Sequence, residues 1–72
     1  MGTVTVTAPA GRAVYIDGNY TPPAPQIIPY TFLVEDGQNV FETLDDDGNV
    51  DYTATVITDA ANPDRSVALQ HV

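Results

Sequence analysis

The chain contains no cysteine and no lysine, and its one histidine is His71. Each absence removes an explanation. Without cysteine, no disulfide can brace the fold. One histidine and no thiol leave nothing to build a zinc cluster. Arg12 and Arg65 are the only basic side chains against ten aspartates and glutamates, giving a net charge of −8. Nucleic-acid binding relies on clustered Lys and Arg to neutralise phosphate, so that class is set aside. The same surface repels anionic membranes. No apolar run approaches the roughly 18 residues of a membrane helix, so no membrane insertion is expected. The N-terminal segment shows neither the basic region nor the apolar stretch of a signal peptide. The chain is thus expected to stay in the cytoplasm where it is made, or to have lost a signal. Missing cysteine is neutral on redox compartment.

What is present is a β pattern running from Thr3 to Val72. A length of 72 residues with no visible linker reads as one domain, residues 1–72, and as a complete small protein. A chain this short buries only about 60% of its unfolded surface and needs outside help. With disulfide and zinc gone, oligomerisation or docking on a larger body is the remaining common remedy. The acidic surface favours solubility and suits basic patches on a protein partner. Abundant Asp, Val, Thr and Ala without lysine fits a GC-rich genome or a salt-loving host.

Thr3 to Ala8 alternates strictly, with Val4, Val6 and Ala8 on one face and three threonines on the other. That is a half-buried strand. A Pro9 to Arg12 turn ends it. Ala13 to Asp17 follows, with Val14 and Ile16 opposite Tyr15, and Asp17-Gly18-Asn19 carries a hairpin signal. Thr21 to Pro25 holds three prolines, which cannot donate to a sheet, so a stiff crossing or an edge is expected. Gln26 to Ile28 is a short strand. Tyr30 to Val34 places Tyr30, Phe32 and Val34 on one face, and Glu35 to Asn39 reads as a hairpin loop.

Val40 to Leu44 and Val50 to Ile57 are the longest candidates. Asp47-Gly48 fits the centre of a type I′ turn, which would set Tyr52 opposite Thr43. A five-residue loop would instead set Leu44 opposite Val50, and the two registers turn opposite faces inward. Thr58 to Arg65 reads as a loop or a single helical turn. Ser66 to Val72 closes the pattern with Val67, Leu69 and His71 on one face. The expected fold is all-β, a small antiparallel β-sandwich or partly open barrel of about six to seven short strands.

Three segments resemble the PEGA domain: Val4-Thr5-Val6, Ala10-Gly11-Arg12-Ala13 and Val14-Tyr15-Ile16-Asp17-Gly18. Thr21-Pro22 stands where that family has a Thr-Pro segment, and Tyr30 to Val34 matches its later strand. The name motif is reduced to Pro9-Ala10-Gly11, and Ile28-Pro29-Tyr30 replaces the expected proline-glycine turn. The likeness covers the N-terminal half only. It implies a small non-catalytic β module of the cell envelope that binds glycan or protein, and it carries over no catalytic residue.

Asp45, Asp46, Asp47 and Asp51 raise the question of calcium. In an EF-hand frame Thr43 falls at the first ligand position and Ala54 at the twelfth, where a bidentate Glu belongs. A solvated hairpin tip is the better reading, with Asp45, Asp47 and Asp51 kept as a non-EF alternative. His71 lies at the chain end without the neighbours a general base needs. Ser66, the single serine, sits in no nucleophile elbow. A thin sandwich also offers little concave space for a substrate, so no enzyme activity and no cofactor are expected. Asn19-Tyr20-Thr21 matches the glycosylation pattern and reads as a turn and strand start. Tyr20 beside Thr21, Pro22 and Pro23 is the candidate partner contact, since tyrosine next to proline suits protein or sugar surfaces.

The sequence therefore points to a non-catalytic assembly protein, a homo-oligomer or one docked on a protein lattice. A virion accessory component assembled in the host cytoplasm (capsid decoration, cement, or a small tail or collar part) is the leading expectation. An envelope recognition module is the alternative.

Overall fold

The computed structural model describes residues 1–17 and 25–72, together with the backbone of Tyr20 and Thr21. It is all-β. Six strands have five or more residues: β1 (Gly2–Ala8), β2 (Ala13–Asp17), β5 (Tyr30–Val34), β6 (Gly37–Leu44), β7 (Val50–Thr58) and β8 (Asp64–Ala68). Three more span two residues each: β3 (Tyr20–Thr21), β4 (Gln26–Ile27) and β9 (Gln70–His71). They form two stacked sheets, β3-β5-β1-β8 and β4-β2-β6-β7-β9.

Alternation decides the faces. Val4 and Val6 of β1, Val14 of β2, Phe32 and Val34 of β5, Phe41 of β6 and Val56 of β7 turn inward and are buried. Ile28 and Leu69 close the core from outside the strands, and Tyr30, Ile16 and Tyr52 pack against its margin. Phe32 and Phe41, one from each sheet, meet at 6.0 Å between ring centroids. The outer face of the first sheet is hydroxyl-rich: Thr5 and Thr31 pair across β1 and β5, with their Oγ1 atoms 2.9 Å apart.

Several turns differ from the sequence expectation. Residues 35–39 do not close a hairpin, because β5 and β6 belong to different sheets. Asp17 likewise ends a strand whose successor, β3, lies in the other sheet. A turn signal reports that the chain reverses but carries no information on which sheet it re-enters. Residues 59–62 take the loop option expected for this stretch, a tight turn with Asp59 Oδ1 accepting from the N–H groups of Ala61 (2.9 Å) and Asn62 (2.7 Å). The closing strand is also split. Its first part, β8, pairs with β1, and after Leu69 the chain crosses to the second sheet as β9 beside β7.

The β1–β8 pairing is parallel, in contrast to every other described pairing. It starts at a close approach. Thr3 N donates to the Pro63 carbonyl at 2.8 Å. A Cβ on Gly2 would lie 1.8 Å from that same oxygen, so only glycine fits here.

The β6–β7 hairpin resolves its register by using both options. From Gly37↔Thr58 to Thr43↔Tyr52 the strands keep the tight-turn register. One step later Leu44 faces Val50, the pairing of the five-residue loop, and Asp51 is the extra residue of the bulge between them. The tip is not a type I′ turn. Gly48 has φ +84°, whereas no described non-glycine residue has positive φ.

Candidate functional site

The bulge at Asp51 organises a charge-paired cluster built from distant parts of the chain. An extra residue in a strand re-aims the side chain that follows the kink. Here the Asp51 carboxylate reaches back to β6, where the buried Thr43 hydroxyl donates to Oδ1. On its other oxygen, Oδ2 accepts from Arg12 Nη2 at 2.8 Å. Arg12 comes from the turn between β1 and β2, anchored by Gly11 N to Ile28 O (2.8 Å) and Ile28 N to Arg12 O (3.0 Å). The same Nη2 donates to the Leu44 carbonyl at 2.7 Å. Arg12 Cζ lies 6.0 Å from the Tyr52 ring centroid, and His71 meets that ring edge-on at 5.0 Å. The Val72 N–H donates to the Asp51 carbonyl at 2.9 Å.

Electrostatics follow this geometry. The Thr43 hydroxyl is the main influence holding Asp51 below the ordinary carboxylate pKa, and Arg12 adds to it. Burial opposes both. The Arg12 guanidinium is in turn held above its ordinary pKa, chiefly by its bond to Asp51. Both carboxylate oxygens are spent on protein donors, and a carboxyl with a lowered pKa stays ionised near neutrality. The arrangement therefore fastens the tip of the β6–β7 hairpin to the β1–β2 turn and the chain end to β7. It is a clasp built from Arg12, Thr43, Asp51, Tyr52 and His71.

The calcium candidates do not converge. Asp45 Oδ1 turns into its own loop and accepts from Asp47 N and Asn49 N, each at 2.9 Å. Asp51 is committed to Thr43 and Arg12. Among the described residues no three His, Asp or Glu side chains gather as a metal site. Ser66 lies exposed on β8, and His71 is exposed on β9.

Of the candidate contact residues, Pro22 and Pro23 fall outside the described residues, as do the side chains of Tyr20 and Thr21. The backbone of Tyr20 and Thr21 forms β3, paired with Val34 and Leu33. This segment is the margin of the first sheet among the described residues, while residues 22–24 of the expected proline crossing lie outside them. The clasp was not foreseen from the sequence. Its one available signal was the scarcity of arginine, which makes an internal partner for Arg12 worth seeking among the acids near the ambiguous hairpin.

Comparisons with protein-family models, with curated proteins and with solved structures gave no match.

Proposed function

We propose that this chain is a non-catalytic assembly protein that docks on a larger protein body, and specifically a virion accessory component of the capsid-decoration, cement, tail or collar type. The observation that supports the reading is a pair of small sheets whose outermost strands β3, β8 and β9 have no further strand beside them among the described residues, in a chain of 72 residues without a disulfide. Sheet margins carry unpaired backbone groups, and small domains gain stability from whatever covers them. The acidic surface, net −8, suits a basic partner surface and keeps the free subunit soluble in the host cytoplasm before assembly.

The chemistry of the clasp agrees with a structural role. Its ionisable groups satisfy one another instead of facing a substrate. A second reading, a PEGA-like envelope module binding glycan or protein, draws on Val14-Tyr15-Ile16-Asp17. These residues form β2 with Tyr15 exposed on the outer face of the second sheet.

Mass photometry of the chain recovered from its source under native conditions tests the proposal. Association with a megadalton protein particle is expected. A free 7.7 kDa species throughout the source's life cycle would sink it. Recovery in an envelope fraction instead would favour the second reading.

A further inference from the structure

The four sheet margins are unequal. β3, β4 and β9 are two-residue strands, and brevity is a usual way to blunt an edge. β8 is different: it has five residues, no proline inside it, and exposed side chains at every position except Val67. It pairs with β1 on one side, and no described strand pairs with the other.

The orientation of its backbone groups follows from the parallel ladder. In such a ladder alternate residues bond to the neighbour and the rest face away. Pro63 O accepts from Thr3 N, Val67 O accepts from the Thr7 hydroxyl, and Leu69 N donates to Ala8 O. Odd-numbered residues therefore face β1. Asp64, Ser66 and Ala68 turn their N–H and C=O groups outward. The Ala68 carbonyl, consistent with this, is met from outside the ladder by its own neighbour's side chain, Gln70 Nε2 at 3.4 Å. Among the described residues, no backbone partner meets the outward N–H and C=O groups of Asp64 and Ser66. Arg65 points the other way and closes the corner between the sheets by donating to the Ile57 carbonyl at 3.0 Å.

Charge indicates the occupant. A second copy would bring net −8 against net −8. Of the two arginines, Arg12 is paired with Asp51 and Arg65 is turned to β7, while the exposed Asp64 opens the strand itself. We propose that the outer edge of β8 accepts an extended, lysine- or arginine-bearing segment of a partner protein as an added strand. This rests on the docking function proposed above and names the surface that performs it. The added strand would satisfy the outward groups of Asp64 and Ser66, and its cations would meet the acidic surface.

The test titrates the isotope-labelled chain with a short synthetic peptide in which lysine alternates with valine and threonine. Amide shifts and slowed hydrogen exchange are expected at Asp64, Ser66 and Ala68. The same peptide N-methylated at alternate residues should bind at least about tenfold more weakly, since it loses its ladder bonds while the protein is untouched. A glutamate-for-lysine peptide should not bind. Ser66→Pro removes an N–H that faces away from β1, so the ladder to β1 stands and peptide binding is lost. Shifts centred on residues 45–47, equal binding of the N-methylated peptide, or a sedimenting dimer paired through β8 would each overturn the proposal. Native particles that take up Ser66→Pro as well as wild type would also overturn it while leaving docking itself intact. Peptide binding at β8 by a chain that is always monomeric in its source would support the edge assignment and remove the virion reading.

Discussion

Replacing Phe41 with leucine tests how the two sheets are held together. Phe41 and Phe32 are both fully buried, and they meet across the inter-sheet space at 6.0 Å with a 48° tilt. A domain of 72 residues has a total stability of about 4–11 kcal/mol. Phe41→Ala would cost about 3–5 kcal/mol and so leave little folded protein to measure. Phe41→Leu keeps most of the volume and should cost about 1–1.5 kcal/mol, with a similar cost for Phe32→Leu. At roughly 4–8 °C per kcal/mol for a chain of this size, each single variant should melt about 4–12 °C below wild type. A tilted ring pair contributes about 0.5–1.5 kcal/mol beyond its buried area, and either substitution already removes that part. The double variant should therefore lose less than the sum of the singles, by that amount. Urea melts of the four proteins at one pH, with equal slopes, give the coupling directly. Strict additivity would mean that the two rings do not touch and that the sheets are stacked in some other way.

Asp51→Asn should lower the melting temperature at neutral pH, by breaking its charge-assisted bond to Arg12 and weakening the clasp. The lowered pKa of Asp51 means that its contribution is present above the unfolded carboxylate pKa and is lost as pH falls through the folded one. The gap between wild type and Asp51→Asn should thus close below the ordinary carboxylate range, and a constant gap in thermal melts from pH 7 to pH 3 would contradict the assignment. Gly2→Ala places a methyl group against the Pro63 carbonyl and should break the Thr3–Pro63 bond, at a cost of about 1–3 kcal/mol. Hydrogen exchange should quicken at Thr3 and along β8 in that variant, and unchanged exchange would show that β1 and β8 are not joined there. Calcium should raise the melting temperature no more than magnesium does, because Asp45 and Asp51 already serve protein donors; a calcium-selective rise reversed by EDTA would refute this.

The faces of the strands were legible because alternation is a local property. Val4 and Val6, Val14, and Phe32 with Val34 all point where a period of two places them. Sheet membership was not legible. Residues 35–39 contain good turn chemistry, but whether β6 lies beside β5 or across the core depends on partners far along the chain. Leu69 shows the same limit: the sequence reads one strand from Ser66 to Val72, whereas the segment divides there between two sheets. The register of the β6–β7 hairpin looked like a choice between exclusive alternatives. A bulge admits both, and it is held by Arg12, which sequence spacing cannot place beside Asp51. Asn39, Thr43 and Thr58 are buried polar residues on inward positions, which binary patterning alone would have left outside. Each has a hydrogen-bond partner: Asn39 and Thr58 donate to the Glu35 carbonyl, and Thr43 donates to Asp51.

The parallel seam between β1 and β8 also sets an order of events during synthesis. Thr3 and Asp64 are bonded across a separation of 61 residues. One flank of β1 therefore has no described strand partner until β8 has been made. Contacts of such long span must be reached through a costly loop closure, which slows folding relative to chains with local pairings. A ribosome carrying the first half of this protein would hold Val4 and Val6 on a strand with one side open. Completion of the native sheet is thus a step that waits on synthesis of β8.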